Sequence, residues 1–207
     1  MTDVVNEDAA VALLAAGKVV AVPTDTVYGV GASLAHPAAV EALFALKRRP
    51  GSVALPILVA SIEQIEALGV SWPERARQLA SSFWPGALTI VVPVPPGLAS
   101  VVGGSSQTAG FRIPNDAQLR GVLARSGALA VTSANEHGGP PCQSAAQVRS
   151  AFAGHDGLAG VVDGGTRNGR VSTVVEISGS TWRILREGAV ATPEIAAVLE
   201  RGAATAG

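Results

Sequence analysis

The stretch PTDTVYGVGAS, Pro23 to Ser33, follows the apolar run KVVAV and precedes the run HPAAVEALFAL. The β-branched residues of KVVAV predict a buried strand. The second run has the apolar spacing of a helix, with Pro37 at its first position. Two threonines, an aspartate and a tyrosine therefore come directly after a buried strand. Such a change from apolar to polar residues at the end of a strand needs an explanation.

The composition indicates a protein with a large core and a nearly neutral surface. Of 207 residues, 48% are hydrophobic and 15% charged, and the formal net charge is −1. This charge argues against a strongly basic nucleic-acid-binding face, although a local patch stays open. The sequence has no apolar run long enough for a membrane span. The acidic N-terminus and the single cysteine, Cys142, are typical of a cytoplasmic protein without a secretion signal.

Predicted helices and strands alternate along the chain without a clean break. Asn6 is expected to cap the first helix, and the pairs Ser61–Gln64 and Ser144–Gln147 are expected to form capping boxes. The segment VPPGLASVVGGSSQT, residues 94–108, is expected to be a long loop. Thr173 to Ile177 and Trp182 to Arg186 have the pattern of a β-hairpin. We expect one domain over residues 1–207, with a mixed sheet covered by helices.

Polar residues collect at the ends of five predicted strands. Taken singly, each run suits a turn or a cap as well as a site. Five together favour a concave site where the strand ends meet. The five runs are Thr24–Thr26, Arg112, Thr132–Asn135, Asp163–Gly165 with Ser172–Thr173, and Arg186.

Lys47 is predicted to lie at a helix end on the side of the core. Val40, Leu43 and Phe44 follow the i, i+3, i+4 spacing of a buried face, and Lys47 is the next position of that stripe. Its stem can pack there while its ammonium reaches outward. The lysine could instead simply complement the helix C-terminus. The neighbouring Arg48 and Arg49 favour a polyanionic ligand such as a nucleotide triphosphate.

Several motifs follow one another from about Val19 to Val190: PTDTVYGVGA, LKRRP, FWPGALTIVV, FRIP, TSAN followed by GGPP, DGG with VSTVVE, and ILREGAV. This ordered series resembles one family, the YrdC/Sua5 threonylcarbamoyl-AMP synthases. The resemblance implies a YrdC/RibB-like α+β (mixed α/β) fold, in which helices flank a twisted mixed sheet with a concave, positively charged cavity. The chain looks like the short, single-domain form.

The resemblance also implies a nucleotidyltransferase activity. L-Threonine, bicarbonate or CO₂, and ATP would give threonylcarbamoyl-AMP and pyrophosphate. A separate tRNA-modifying complex would then transfer the group to N6 of adenosine 37 in tRNAs that read ANN codons. Mg²⁺ would be held mainly through the triphosphate, so no metal ligands are expected from the chain.

Residue roles follow from the matching motifs. The resemblance places L-threonine against Thr24, Thr26, Arg112, Ser172 and Thr173. It places ATP against Lys47, Arg49, Thr108, Ser133, Asn135, Ser144 and Arg186. Within these sets the catalytic groups would be Lys47, Ser133 and Arg112. Gly29 and Gly31 would let the backbone turn tightly beside the amino acid.

The sequence departs from the family pattern at Val53, Leu58 and Val171, where many members carry polar residues. These changes bear on affinity and loop closure more than on the reaction. Two other functions stay open: a weak or transient RNA-binding module, and a domain that makes carbamoyl-AMP from carbamoyl phosphate. A riboflavin-pathway lyase of similar fold would need an acidic metal site that the sequence does not offer.

Overall fold

The computed structural model describes residues 2–48, 51–104, 106–135 and 139–204, with residues 202–204 described as backbone only. The strands of this part of the chain are β1 (Val4–Val5), β2 (Val19–Pro23), β3 (Tyr28–Ser33), β4 (Ile57–Leu58), β5 (Leu88–Pro93), β6 (Thr108–Arg112), β7 (Leu129–Ser133), β8 (Leu158–Val162), β9 (Thr173–Ser178) and β10 (Thr181–Arg186). The helices are α1 (Glu7–Ala15), α2 (Pro37–Leu46), α3 (Ile62–Ala67), α4 (Glu74–Phe83), α5 (Pro96–Val102), α6 (Ala117–Ser126), α7 (Ala145–Ala151) and α8 (Thr192–Ala204).

All of the described strands belong to one mixed sheet, in the order β1-β8-β2-β3-β7-β4-β6-β5-β9-β10. Four neighbouring pairs are parallel (β1 with β8, β2 with β8, β4 with β6, β5 with β9), and the other five are antiparallel. Helices pack on the sheet and bury three apolar clusters against it. The predicted mixed sheet with flanking helices is confirmed, as is the hairpin of β9 and β10.

The opening stretch forms a β-hairpin, which corrects the predicted tight turn at Gly29 and Gly31. β2 and β3 pair antiparallel, and Pro23 and Tyr28 are partners next to the turn. Both glycines therefore lie inside β3. A Cβ at Gly29 would come within 2.7 Å of Val131 Cγ1 on β7. The glycines are needed for the close approach of two strands, because a side chain there would collide with β7.

The prediction of a long loop over residues 94–108 is wrong in its first half, where α5 forms. Pro95 and Pro96 suit the start of a helix, since their fixed φ is helical and the first N–H groups of a helix have no partner within it. Ala99 and Val102 are buried. The Val102 carbonyl accepts a 2.9 Å hydrogen bond from Leu55 N. Tertiary packing thus stabilises a helix that a segment rich in glycine and proline does not predict.

The predicted helix caps are mostly confirmed. Asn6 accepts a hydrogen bond from Ala9 N, and Ser144 accepts one from Gln147 N. Ser61 stands at the N-cap of α3 but makes no side-chain capping bond, which corrects the capping box expected there. In the described part of the chain, no helix combines the length and apolar character that crossing a membrane requires.

Candidate functional site

Most of the predicted polar residues line one central cavity of about 310 Å³. Its walls come from the β2–β3 turn and from strands β3, β4, β5, β6, β7 and β10, with residues after β7 and just before β9. Seven of the predicted site residues take part: Thr24, Thr26, Arg112, Ser133, Asn135, Ser172 and Arg186. Polar groups from strand ends that are far apart in sequence therefore meet in one place.

Arg112, the last residue of β6, is held rigidly at the cavity wall. Its Nε donates to Gly86 O at 2.8 Å, and its Nη2 donates to Asp25 Oδ1 at 2.5 Å. Nη1 makes only a longer contact, 3.4 Å, to Thr26 Oγ1. The side chain is 7% exposed and that of Asp25 is 15% exposed. The guanidinium is therefore held in place through Nε and Nη2, and Nη1 is the nitrogen that the protein engages least.

The two threonine hydroxyls of the turn have different roles. Thr24 Oγ1 donates to Val27 O at 2.7 Å, so its only hydrogen is used. In its 2.9 Å contact with Thr26 Oγ1, the donor must therefore be Thr26. Thr24 also accepts from Thr26 N and Val27 N. Thr24 thus stabilises the turn, while Thr26 presents a lone pair to the cavity.

Lys47 follows α2 and lies behind Asn135. The lysine is 6% exposed, as the helical stripe predicts. Its Nζ donates to the carbonyl oxygen of Asn135 and, at 3.0 Å, to Asn135 Oδ1. Ser133 Oγ donates to the same Oδ1 at 2.6 Å, and Asn135 Nδ2 donates to Gly139 O. One buried ammonium therefore orients the amide that forms the cavity wall.

On the opposite wall, Arg186 is bound to the segment before β9. Its Nε and Nη2 donate to Ser172 O, and Nη2 also donates to Ser172 Oγ at 3.0 Å. Burial, and then the positive charge of Arg112, lower the pKa of Arg186. Two guanidinium groups close enough to interact across one cavity favour an anionic ligand between them.

Thr89 is a cavity residue that the sequence analysis missed. It lies on β5, is 4% exposed, and its Oγ1 is 2.9 Å from Ser172 Oγ. The available signal was a single hydroxyl inside the apolar run ALTIVV. Asp25 was noted only as part of a polar run, and its pairing with Arg112 depends on a contact across 87 residues.

Other predicted residues are not among the described residues that line the central cavity. Thr173 is fully buried and its hydroxyl donates to Val190 O at 2.6 Å. Ser144 caps α7. Thr108 lines a neighbouring hollow and contacts Ser106 Oγ at 2.8 Å. Arg49 lies outside the described residues. The binding roles of these four, like those of Lys47 and of the residues that line the cavity, stay predictions.

Two further hollows adjoin the central cavity, one on each side. The first, of about 590 Å³, shares Asn135 with it and extends to Cys142 and Gln147. Burial raises the pKa of the Cys142 thiol, against the opposing charge of Lys47. The second, of about 410 Å³, shares Thr89 and Arg186 and extends to Thr108. Together the three spaces have the size of a site for an amino acid and a nucleotide.

The departures from the family pattern occupy different places. Leu58 is buried at the cavity wall, and Val171 lies at its mouth with 36% of its surface exposed. Val53 is 48% exposed.

Comparisons with known proteins agree on one family. The family model Sua5/YciO/YrdC, described as telomere recombination, matches residues 12–188. A Mycobacterium tuberculosis protein, provisionally named a threonylcarbamoyl-AMP synthase, is 41% identical over 95% of this chain and 90% of its own length. The threonylcarbamoyl-AMP synthase of Bacillus subtilis is 37% identical over 92% of this chain and 55% of its own.

The solved structures give the same result. The crystal structure of Pyrococcus abyssi Sua5 complexed with L-threonine superposes with a TM-score of 0.86 at 35% identity, over 95% of this chain. This chain spans only 60% of that protein. Escherichia coli YciO, 20% identical over 90% of this chain and 92% of its own, has a TM-score of 0.75 and supports the fold alone.

Proposed function

The chain belongs to the Sua5/YciO/YrdC family, and from this premise we propose that it makes threonylcarbamoyl-AMP and pyrophosphate from L-threonine, bicarbonate or CO₂, and ATP. The observation that carries the proposal is the convergence of Arg112, Arg186 and the Asn135 amide on one cavity. The threonylcarbamoyl-AMP synthases of Pyrococcus abyssi and Bacillus subtilis are 38% and 37% identical to this chain.

The threonine site is proposed at the Arg112 wall. The Nη1 edge of the guanidinium faces the hydroxyl of Thr26 and is free of the strong contacts that engage Nε and Nη2. It would bind the substrate carboxylate. Thr26, which offers a lone pair, would accept a hydrogen bond from the substrate's amine or hydroxyl group. Thr24 would act by holding the turn.

ATP is proposed to extend from the central cavity into the two adjoining hollows. The phosphates would bind on one side, to Lys47, Ser133, Asn135, Ser144 and Arg49. Arg186 and Thr108 would contact the nucleotide on the other. The described residues contain no group of three His, Cys, Asp or Glu side chains that could hold a metal ion. This donor set suits Mg²⁺ carried by the triphosphate oxygens rather than by the protein.

The chemistry needs positioning and charge neutralisation more than a strong protein base. The neutral threonine amine bonds to the carbon of CO₂ and loses a proton, which gives a carbamate. A carbamate oxygen then forms a bond to the α-phosphorus, while the bond from that phosphorus to the bridging oxygen of pyrophosphate breaks. Arg112 and Arg186 offset the negative charge that gathers at this point.

We further propose that the product serves tRNA modification in the cytoplasm. Other proteins would transfer the threonylcarbamoyl group to N6 of adenosine 37 in tRNAs that read ANN codons. Direct binding of RNA would then be weak or transient, in keeping with the net charge of −1.

Pyrophosphate release from ATP tests the proposal. We expect release that depends on both L-threonine and bicarbonate, with Mg²⁺ present throughout. L-Serine and L-valine are matched amino-acid controls, since each lacks one substituent of the threonine side chain. Release that required carbamoyl phosphate and ignored threonine would overturn the proposal in favour of a carbamoyl-AMP-forming domain. Salt-dependent RNA binding without ATP turnover would favour the RNA-binding module instead.

A further inference from the structure

Thr89 lies where the central cavity and the hollow on the Arg186 side meet. Four residues line both spaces: Pro56, Thr89, Ser172 and Arg186. The wall between the two spaces therefore carries two hydroxyl groups and one guanidinium. If threonine lies on one side of this wall and the nucleotide on the other, the groups that react with each other meet at this wall.

Packing around Thr89 fixes the orientation of its hydroxyl group. A Cβ on Gly110 of β6 would come within 2.9 Å of Thr89 Cγ2. The space left by this glycine therefore holds the methyl group of Thr89 on the β6 side. The hydroxyl is turned the other way, toward Ser172, where the two oxygens are 2.9 Å apart. Because χ1 of threonine is stiff, this packing fixes the direction of the hydroxyl.

The hydroxyl groups of Thr89 and Ser172 form a pair that keeps one hydrogen for a ligand. Ser172 Oγ accepts from Arg186 Nη2 at 3.0 Å. The hydroxyls of Thr89 and Ser172 together carry two hydrogens, and the bond between them uses one. Among the described residues, no protein acceptor takes the other. One hydroxyl hydrogen thus remains to be donated into the spaces that both side chains line.

The two hydroxyl sites of the cavity therefore differ in hydrogen-bonding character, although each lies beside a guanidinium. The Thr26 hydroxyl donates to Thr24 and offers a lone pair, whereas the Thr89–Ser172 pair offers a hydrogen beside a guanidinium. A donor next to a cation suits a negatively charged oxygen. The carbamate and the α-phosphoryl group are the anionic groups that must meet during the proposed reaction.

We infer that Thr89 is a further catalytic residue, whose hydroxyl, directly or through Ser172, donates to a carbamate or α-phosphoryl oxygen as the two substrates react. The inference rests on the proposed function, in that the site must hold both substrates. Packing accounts for the methyl group of Thr89, and the inference gives its hydroxyl group a role.

The test compares Thr89→Val, which keeps the shape, with Thr89→Ser, which keeps the hydroxyl. We expect Thr89→Val to lower kcat for pyrophosphate release at least about 10-fold, as loss of a donor to a developing charge does, and Thr89→Ser to stay within about 3-fold of wild type. Thr181→Val is the matched control. It removes a threonine hydroxyl that bonds Ser178 O in the β9–β10 turn, away from the cavity.

Calorimetric titration with each substrate alone separates the two possible oxygens. Weaker binding of ATP to Thr89→Val would assign the contact to the α-phosphoryl group. Unchanged binding of ATP and of threonine, with reduced kcat, would assign it to the carbamate. Normal turnover in Thr89→Val, or equal loss in Thr89→Ser, would overturn the inference, because the methyl group would then be the important part.

Two further results keep the outcome clear. If wild type shows no threonine-dependent turnover, the proposed function fails, whatever Thr89 does. If Thr89→Val unfolds, Thr89→Ala and Thr89→Ser replace it. The inference then predicts a slow alanine variant and a fast serine variant, and equal rates contradict it.

Discussion

The carboxylate of Asp25 lies 2.5 Å from the guanidinium of Arg112, and the two side chains are 15% and 7% exposed. A buried charge that loses its partner is costly, so each group needs the other. The pair joins the β2–β3 turn to the end of β6. It also leaves the Nη1 edge of Arg112 for a ligand, and thereby couples the stability of the fold to the geometry of the proposed threonine site.

Replacement of Asp25 by alanine is expected to lower both the free energy of unfolding and the affinity for L-threonine. The free energy of unfolding should fall by about 3 kcal/mol, because Arg112 would remain buried without its carboxylate. Urea denaturation measures this change. The matched control is Asp8→Ala, which breaks the exposed pair of Asp8 with Arg125 and should cost less than about 1 kcal/mol. Equal losses in both variants would show that burial of the Asp25 pair does not matter.

Replacement of Lys47 by methionine is expected to abolish turnover while the fold persists. The methionine keeps the apolar stem but cannot donate to the carbonyl and amide oxygens of Asn135. We expect kcat/KM for ATP to fall by at least about 100-fold. Lys18→Met is the control, since Lys18 is exposed and is the other lysine of the chain. A near-normal rate in Lys47→Met would remove this lysine from the site.

Alanine at Gly29 is expected to destabilise the sheet. The added Cβ would meet Val131 Cγ1 at 2.7 Å and Thr132 O at 3.2 Å. Forced overpacking of this kind costs about 1–3 kcal/mol. Gly97→Ala is the control, because nothing lies within 4 Å of a Cβ there and the residue is in α5. It should be neutral or stabilising. A stable Gly29→Ala variant would contradict the close approach of β3 and β7.

The phenol of Tyr28 predicts a dependence of stability on alkaline pH. Burial, as the largest cause, raises its pKa above the ordinary value of 10.0, and the bond from Gly164 N opposes this rise. The folded state thus favours the neutral phenol. Its contribution is complete below the unfolded pKa and is lost as the pH rises through the folded pKa.

Tyr28→Phe isolates this effect. At neutral pH the variant should be less stable by about 1–2 kcal/mol, because Gly164 N and Gly165 O lose the hydroxyl as a partner. The difference from wild type should shrink above about pH 10. Denaturation midpoints of both proteins across this pH range measure the effect. A difference that stays constant there would show that Tyr28 does not titrate with unfolding.

The sequence allowed the architecture and most of the cavity wall to be predicted, because both depend on local patterns. Strands such as β2 and β7 are apolar runs that end in hydroxyl or amide groups, so their placement and the polar ends of the cavity could be inferred together. Lys47 was placed correctly by the spacing of the helix alone. The ordered motifs supplied the family, which spacing and composition could not.

The features of the fold and of the cavity that could not be predicted depend on contacts between distant segments. Gly29 and Gly31 predict a tight turn, whereas they lie inside β3, where their role is to admit Val131 from β7. α5 forms because it packs against the core, which overrides its glycine and proline content. The direction of the hydrogen bonds between Thr24 and Thr26 depends on Val27 O and could not be inferred from residue types.

Product analysis with ¹³C-labelled bicarbonate tests the central claim most directly. Wild-type protein is incubated with L-threonine, ATP, Mg²⁺ and the label, and the nucleotides are identified by mass spectrometry. We predict threonylcarbamoyl-AMP that carries one ¹³C atom, formed by wild type and not by Arg112→Lys, whose single nitrogen cannot occupy the separate positions from which Nε and Nη2 bond Gly86 and Asp25 and Nη1 would bind a carboxylate. Absence of a labelled threonine adduct of AMP from wild type, or its undiminished formation by Arg112→Lys, would contradict the account.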